Sequence, residues 1–327
     1  MKSVVLLVAI TFLTGAVSAE EFILTELGTL GGNASRAYGV SPSGQVVGWA
    51  SITDDENKQA FVWSAGSMVG LPSLSDPPWD IARGINANGQ VVGVSGPRYS
   101  PSIVLWQDDS IQVLWPGTTS AYGINDDGQV VGKKGSDPGD PFLWEDGNLY
   151  NFSGTHGGAY AINDCGQIVG YLGVGDPSTD RIFLYSDGAI YDLGRGEAYG
   201  LNDVPNVQVV GYSNPSGQAF LWQNGSMQYL GQGTAYGIND SGQVVGTNGR
   251  AFLYTNGQMW DLNDLIDPGL NWTLIEAIAI NDLGQIVGWG TNPYGQERGF
   301  LLTVIPEPAT ICLLAAGSCL FWSWRRQ

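Results

Sequence analysis

Apolar and polar residues alternate along most of this chain in short runs, separated by turns rich in glycine, asparagine and aspartate. Alternation with a period of two predicts β-strands, because successive side chains of a strand point to opposite faces of a sheet. One segment recurs seven times: an Ala-Tyr-Gly-Ile strand, an Asn-Asp-x-Gly turn and a Gln-Val-Val-Gly strand. Its copies, with variation, are residues 37–48, 82–93, 121–132, 159–170, 198–211, 235–246 and 277–288.

The spacing of these copies indicates the architecture. Their glutamines lie 45, 39, 38, 41, 35 and 42 residues apart, an average of 40, which is typical of arrays of one four-stranded unit. After each copy the sequence predicts a third strand of the Phe-Leu-Trp type, a hairpin turn such as Asn224-Gly225, and an alternating fourth strand. We therefore predict an all-β protein, a seven-bladed β-propeller of about 40-residue, four-stranded repeats.

The two ends of the array predict how it closes. The seventh unit has a third strand at 300–302 but no fourth, whereas an orphan strand at 22–28 precedes the first unit. If the N-terminal strand completes the seventh unit, the ring closes and no sheet edge is left unpaired. An open solenoid would leave that strand without a role, so we expect closure. The fifth unit departs from the pattern at 202–208, where the turn is two residues longer and lacks its glycine.

The N-terminus has the pattern of a secretory signal peptide. Lys2 precedes an apolar run from Val4 to Phe12, and small residues end at Ala19, directly before Glu20. We expect cleavage between Ala19 and Glu20. The predicted organisation is thus a signal peptide at 1–19 and a repeat domain at 20–303, followed by a tail at 304–327.

That tail contains a second targeting pattern. A proline pair stops any upstream helix, so a new helix is expected from Ala309 to Trp324, near the lower limit of length for spanning a bilayer. Terminal arginines would hold its end on the cytoplasmic side, so that the repeat domain faces outward. The motif residues are Pro306, Glu307 and Pro308 before the apolar run, and Arg325 and Arg326 after it.

This tail resembles the PEP-CTERM sorting signal of Gram-negative bacteria. The resemblance implies processing by an exosortase, which is a membrane transpeptidase, after transient anchoring in the inner membrane through the C-terminal helix. It also implies delivery to the cell surface or the extracellular matrix. Because the tail is slightly short for that family, a retained membrane anchor stays open as an alternative.

The repeat itself is similar to the HAF-type extracellular repeat, which contains Gly-Ile-Asn-x-x-Gly-Gln-Val-Val-Gly and a His-Ala-Phe-Leu-Trp segment. In this chain Gln59, Gln218 and Arg250 stand where that family has histidine. The similarity covers nearly the whole repeat domain and implies a repeat architecture and an extracellular location. It implies no particular chemistry.

Charge and composition narrow the functions further. The net charge is −18, and residues 20–305 contain ten basic and thirty acidic residues without a basic stripe, which argues against nucleic-acid binding. Cys165 is the only cysteine of residues 20–303, so that domain has no internal disulfide and Cys165 is expected to be an incidental turn residue. His156 is the only histidine and is expected in a loop. We therefore predict no catalytic residue, metal site or cofactor, although weak calcium binding by clustered turn acids stays open.

These patterns predict a secreted or surface-displayed repeat protein that is not an enzyme and binds exopolysaccharide or a surface protein. The alternative is a polysaccharide-acting hydrolase or lyase with acidic residues in the propeller funnel. An enzyme would need units that break the repeat with polar residues clustered on one face, and here the departures are scattered. The strand tryptophans Trp63, Trp106, Trp144 and Trp222 are expected to be buried, whereas the loops 73–79 and 114–116 are candidate ligand contacts.

Overall fold

The computed structural model describes residues 21–305, except 54–55, 118, 136–138, 153–155 and 174–178. These residues form β-strands, with short 3-10 helices at Leu262–Asp264 and Pro268–Leu270. Within the described ranges, no helix has the length and apolar content needed to cross a bilayer. The predicted signal peptide and sorting signal lie outside the described residues, and this includes Ala19, Glu20, Pro306, Glu307, Pro308, Arg325 and Arg326.

The strands form five four-stranded antiparallel sheets and one seven-stranded sheet. In the seven-stranded sheet one long strand, β17, is the last strand of one four-stranded set and the first strand of the next, so the described strands make seven sets of four. The first three sets are β2 (Ser35–Val40), β3 (Val46–Ser51), β4 (Lys58–Ser64) and β5 (Ser67–Gly70); β6 (Ile81–Ile85), β7 (Val91–Ser95), β8 (Ser102–Gln107) and β9 (Ser110–Trp115); and β10 (Thr119–Ile124), β11 (Val130–Lys134), β12 (Asp140–Glu145) and β13 (Asn148–Asn151).

The remaining four sets follow the same order along the chain, except that the last set takes its outer strand from the N-terminus. They are β14 (His156–Ile162), β15 (Ile168–Gly173), β16 (Arg181–Ser186) and β17 (Ala189–Leu201); β17, β18 (Val209–Ser213), β19 (Gln218–Gln223) and β20 (Ser226–Gln232); β21 (Thr234–Ile238), β22 (Val244–Thr247), β23 (Ala251–Thr255) and β24 (Gln258–Asp261); and β25 (Thr273–Ile280), β26 (Ile286–Thr291), β27 (Glu297–Val304) and β1 (Phe22–Glu26).

The N-terminal strand completes the last set, as its sequence predicts. β1 pairs antiparallel with β27, from Phe22 opposite Val304 to Glu26 opposite Phe300. Phe22 is buried in the apolar cluster that also contains Phe300. The first strand of each set contacts the first strand of the next set, and β25 of the last set contacts β2 of the first. Residues more than 250 positions apart in the sequence are therefore direct neighbours.

Six of the seven sets are built around a phenylalanine opposite a glycine, and in the second set Val104 takes the place of the phenylalanine opposite Gly93. In the third set Phe142 of β12 pairs with Gly132 of β11 and is fully buried. A Cβ atom on Gly132 would lie 2.7 Å from the Phe142 ring and 2.1 Å from the backbone oxygen of Ser120. The final glycine of Gln-Val-Val-Gly is thus required by close packing. The equivalent buried phenylalanines are Phe61, Phe183, Phe220, Phe252 and Phe300.

Candidate functional site

One end of the sets is built from the Asn-Asp-x-Gly turns, and we call it the turn face. Asn125 shows the pattern: its side-chain nitrogen donates to Gln129 Oε1 at 2.7 Å and to the backbone oxygen of Asn163, in the next set, at 3.1 Å. Its Oδ1 accepts from the backbone N–H of Gln129 at 2.9 Å. The motif asparagine and glutamine therefore close their own turn and connect it to the neighbouring set. The other asparagines that donate to the next set are Asn86, Asn163, Asn202, Asn239 and Asn281.

The aspartates of the same turns also connect neighbouring sets. The backbone N–H of Asp126 donates to Asp164 Oδ1 at 2.8 Å, and that of Asp164 donates to Asp203 Oδ1 at 2.7 Å. Burial raises the pKa of Asp203, and the negative charges of Asp164, Asp240 and Asp282 raise it further. These carboxylates accept backbone hydrogen bonds, which explains their recurrence without any catalytic role. Among the described residues, no group of three or more histidine, cysteine, aspartate or glutamate side chains could hold a metal ion.

A cavity of about 670 Å³ lies between the first strands of the sets. In each first strand the pairing slips by one residue directly after a buried alanine, for example between Ala37 and Gly39. Such a bulge redirects the extra residue, and here that residue lines the cavity. The bulge residues are Tyr38, Arg83, Tyr122, Tyr160, Tyr199, Tyr236 and Ile278.

The tyrosines of the cavity pack against one another. The centroid of the Tyr160 ring lies 5.0 Å from that of the Tyr122 ring and 5.1 Å from that of the Tyr199 ring. Glu197 Oε2 accepts hydrogen bonds from the hydroxyls of Tyr160 at 3.2 Å and Tyr199 at 2.9 Å. Burial, and then the charge of Glu197, raise the pKa of both phenols, and burial raises that of Tyr236 to about 12. The phenols therefore stay neutral at ordinary pH and can act as hydrogen-bond donors.

Two arginines line the other side of the cavity, and their surroundings differ. Arg36 donates to both carboxylate oxygens of Glu297, at 2.8 and 2.9 Å, and lies 3.8 Å from the centroid of the Trp289 ring. Burial lowers the pKa of Arg36, but Glu297 outweighs it, so the net shift is upward. Arg83 instead lies between two rings, 4.6 Å from Tyr38 and 5.6 Å from Tyr122. Within the described ranges Arg83 forms no ion pair.

A row of alternating cations and aromatic rings leads outward from Arg83. Trp49 Nε1 donates to the hydroxyl of Tyr38 at 3.3 Å, and Lys58 Nζ lies 3.7 Å from the ring of Trp49 and 5.0 Å from that of Trp79. The guanidinium of Arg98 is 4.5 Å from the Trp79 ring and 5.8 Å from the ring of Tyr99, which is 86% exposed. We call this the cation–aromatic row; its members are Arg83, Tyr38, Trp49, Lys58, Trp79, Arg98 and Tyr99.

The cations of the row influence one another. Burial lowers the pKa of Lys58, and the positive charges of Arg36, Arg98 and Arg83 lower it further, against a smaller opposite effect of Glu297. Neither Lys58 nor Arg98 forms an ion pair with any carboxylate of the described chain. Positive charge is therefore concentrated beside the cavity of a protein whose net charge is −18.

The structure places the sequence-predicted candidates as follows. The loop 73–79 contributes Trp79 to the row, and in the loop 114–116 Trp115 is 38% exposed with Lys134 Nζ at 5.2 Å from its ring. Trp63 and Trp106 are buried, as expected, whereas Trp144 and Trp222 are only partly buried. Cys165 is exposed in its turn. The expectation that His156 is a loop residue is wrong: it is the exposed first residue of β14, 3.7 Å from Asp140, because its backbone continues the pairing with β15.

Sequence reasoning missed the cavity and the grouping of cations. The residues that form the group are far apart in the sequence, and only the pairing of the sets brings them together. One signal was present, because Arg83 replaces the tyrosine of the Ala-Tyr-Gly-Ile motif. A charged residue at a position otherwise occupied by tyrosine or isoleucine marks a departure from the scaffold.

Comparisons with known proteins give no assignment. No protein-family model matches the chain, and a search of curated proteins found no match. Among solved structures, TolB from Acinetobacter baumannii is similar at 13% sequence identity and a TM-score of 0.45, over 84% of this chain and 65% of TolB. A structure of YCF48 bound to a D1 peptide is similar at 11% identity and a TM-score of 0.33, over 89% of this chain and 97% of that one. Neither similarity is close enough to assign a fold or a function.

Proposed function

We propose that this chain is a closed seven-bladed β-propeller that is exported and binds a polysaccharide outside the cell without cleaving it. Three contacts support closure: β1 pairs with β27, β25 contacts β2, and Asn281 donates to the backbone oxygen of Ser41 at 2.9 Å. The bond from Asn281 to Ser41 joins the last set to the first set. Equivalent asparagine bonds join consecutive sets elsewhere. Each four-stranded set is then one blade, and the cavity is the central channel.

The proposed location follows from the two ends of the sequence. The N-terminal pattern, with cleavage between Ala19 and Glu20, supports export. The Pro306-Glu307-Pro308 tail supports processing by an exosortase and display at the cell surface or in the extracellular matrix. The likeness of the repeat to the HAF type supports the same location.

The observation that carries the binding proposal is the convergence of tyrosines on the cavity. Five phenol rings meet there, and the hydroxyls of Tyr160 and Tyr199 are fixed by Glu197. Sugars present both hydroxyls and apolar C–H faces, and an amphipathic ring such as that of tyrosine can contact both. A concave site in which a few polar groups converge between apolar walls is typical of ligand binding.

The carboxylates beside the cavity favour binding over hydrolysis. A general acid needs a protonated carboxyl group. Glu197 accepts hydrogen bonds from two phenols, and Glu276 accepts one from Trp289 Nε1 at 2.8 Å. In this geometry both carboxylates serve as acceptors for donors of the protein itself, not as donors toward a bound sugar.

The test is a binding and turnover assay with the purified full-length protein and a panel of soluble polysaccharides. We expect saturable binding of at least one polymer and no increase in reducing ends after prolonged incubation. Tyr160→Ala should weaken binding at least fivefold, because it removes a ring and a hydroxyl from the cavity. The matched control is Tyr150→Ala, which removes a 52% exposed tyrosine from the outer strand β13 and should leave affinity unchanged. Failure of every polymer to bind, or release of reducing ends, would contradict the proposal.

A further inference from the structure

Among the described residues, Lys58, Arg83 and Arg98 have no carboxylate partner, whereas Arg36 beside them and most other arginines of the described chain do. Arg181 pairs with Asp192 at 2.5 Å, Arg250 pairs with Asp261 at 2.8 Å, and Arg298 with Glu26 at 3.0 Å. With thirty acidic residues between positions 20 and 305, carboxylates are abundant on this surface. Within the part of the chain that the structure describes, Lys58, Arg83 and Arg98 nevertheless lie against aromatic rings and form no ion pair.

We propose that the cation–aromatic row binds the carboxylates of an acidic polysaccharide, a polymer of uronic acids. The inference rests on the proposed function and specifies its ligand class. In this arrangement Arg83 receives a carboxylate at the cavity, and Lys58 and Arg98 receive carboxylates of following sugars toward the rim. No bond is made or broken in the ligand.

The row is held in place before any ligand arrives. The backbone N–H of Lys58 donates to the oxygen of Pro78, and the N–H of Asp80 donates to the oxygen of Lys58 at 2.8 Å. These bonds form an isolated parallel bridge between Lys58 and Trp79. The ring contacts then restrict the ammonium and guanidinium groups, which reduces the entropy lost when an anion binds. Lys58 and Arg83 are partly buried, so their attraction for a carboxylate is screened less than that of a fully exposed pair.

The form of the row favours a polysaccharide over a peptide or a nucleic acid. The row is made of side chains from strands β2, β3, β4 and β6 and from loops, whereas an extended peptide is bound through backbone hydrogen bonds that add a strand to a free sheet edge. The row presents charges and rings in alternation, which matches a chain of sugar rings that each carry a carboxylate. A nucleic acid would bring a dense phosphate backbone close to a protein of net charge −18.

The experiment measures affinity of the purified full-length protein for polygalacturonate in 0.1 M salt, with methyl-esterified polygalacturonate as the uncharged counterpart. We expect the esterified polymer to bind at least tenfold more weakly, because only its carboxylates differ. Dextran sulfate, which carries sulfates and no carboxylates, poly-glutamate and single-stranded DNA are tested in parallel. Each should bind at least tenfold more weakly than polygalacturonate; tighter binding of any of the three would overturn the assignment to a uronic acid polymer.

Variants locate the site. Arg83→Tyr installs the residue that five other sets carry at this position, so the fold should tolerate it, and it should weaken polygalacturonate binding at least tenfold. Arg98→Gln, at the exposed rim, should weaken polygalacturonate binding about threefold. The matched controls Arg181→Gln and Arg250→Gln change the net charge equally but remove paired arginines, and should change affinity less than twofold.

The outcomes separate the two proposals. Equal affinity for both forms of the polymer, or unchanged affinity in the Arg83→Tyr variant, would overturn this inference while leaving polysaccharide binding intact. Binding of no polysaccharide at all would overturn the proposed function as well.

Discussion

The turn face and the opposite end of the sets, which we call the loop face, follow different rules. On the turn face six of the seven sets use the same asparagine to bond to the next set. On the loop face Arg83 replaces a tyrosine, and Lys58 and Arg98 have no counterparts in the neighbouring sets. The contrast indicates that the residues repeated on the turn face form the scaffold, whereas the cations that break the repeat on the loop face belong to the proposed binding site.

The regularity of the turn face has a physical cause. Asn125 is buried and satisfies three hydrogen bonds, one of them to the backbone of the next set. A buried carbonyl group that loses its hydrogen-bond partner destabilises the fold by the free energy of its desolvation. Each turn therefore depends on the same side-chain amide. No comparable demand acts on the loop face, where Arg98 and Tyr99 are exposed.

Breaking the turn network should give the largest effect. Asn163→Ala removes donors to Gln167 and to the backbone oxygen of Asn202, and should lower the free energy of unfolding by about 3 kcal/mol. Asn281→Ala should lower the free energy of unfolding by about as much, because the Asn281 side chain donates in the same way to the backbone oxygen of Ser41. Chemical denaturation measures both changes.

The control for these variants is Asn148→Ala, which removes an exposed asparagine that donates only to Asp146. It should change the free energy of unfolding by less than about 0.5 kcal/mol. If Asn281→Ala were as mild as this control while Asn163→Ala was severe, the first and last sets would not be joined as proposed.

The second prediction concerns a buried carboxyl group on the loop face. Asp80 is fully buried, and its Oδ2 has no hydrogen-bond partner among the described residues. Burial raises its pKa to about 6, although hydrogen bonds from Ser95, Ser73 and Gly96 act in the opposite direction. The folded state therefore binds this proton more tightly than the unfolded state, so stability falls as the pH rises from about 4 to about 6.

Asp80→Asn removes that ionisation. Above pH 6 the variant should be more stable than the wild type by about 2 kcal/mol, somewhat less than the pKa shift implies, since the new amide nitrogen would itself lack a partner. At pH 4 the two proteins should be nearly equally stable. Denaturation curves from pH 4 to 8 measure the difference, and a difference that did not change with pH would contradict this account.

The smallest predicted effect is an increase in stability from a change on the turn face. Ser41 stands where the other six sets have asparagine, so no side-chain amide of the first set reaches the backbone oxygen of Asn86. Ser41→Asn should supply that bond and raise the free energy of unfolding by about 1 kcal/mol. A decrease would show that the first turn does not share the geometry of the others.

The scaffold was predictable from the sequence because it depends on local and repeated signals. The Asn-Gly and Asp-Gly hairpins and the alternating strands specify the sets, and the lone third strand at 300–302 indicates its partner β1. The repeated glutamine likewise bonds within its own set, as Gln129 does with Asn125. These features depend on residues close together in the sequence or on the count of strands.

The binding site was not predictable in the same way. The absence of a basic stripe in the sequence did not exclude a basic group in space, because Arg36, Lys58, Arg83 and Arg98 come from different strands and loops. The inward direction of Tyr38 and its equivalents depends on a bulge, which alternation alone does not reveal. Only the loop 73–79 was singled out in advance, through Trp79.

The most direct test of the division between scaffold and binding site is hydroxyl-radical footprinting of the full-length protein with and without polygalacturonate. Trp79 and Tyr99 report on the loop face, and the exposed Leu283 and Cys165 report on the turn face. We predict that the polymer slows oxidation of Trp79 and Tyr99 at least threefold and leaves Leu283 and Cys165 unchanged. Protection of Leu283 and Cys165, with none at Trp79 and Tyr99, would contradict the account.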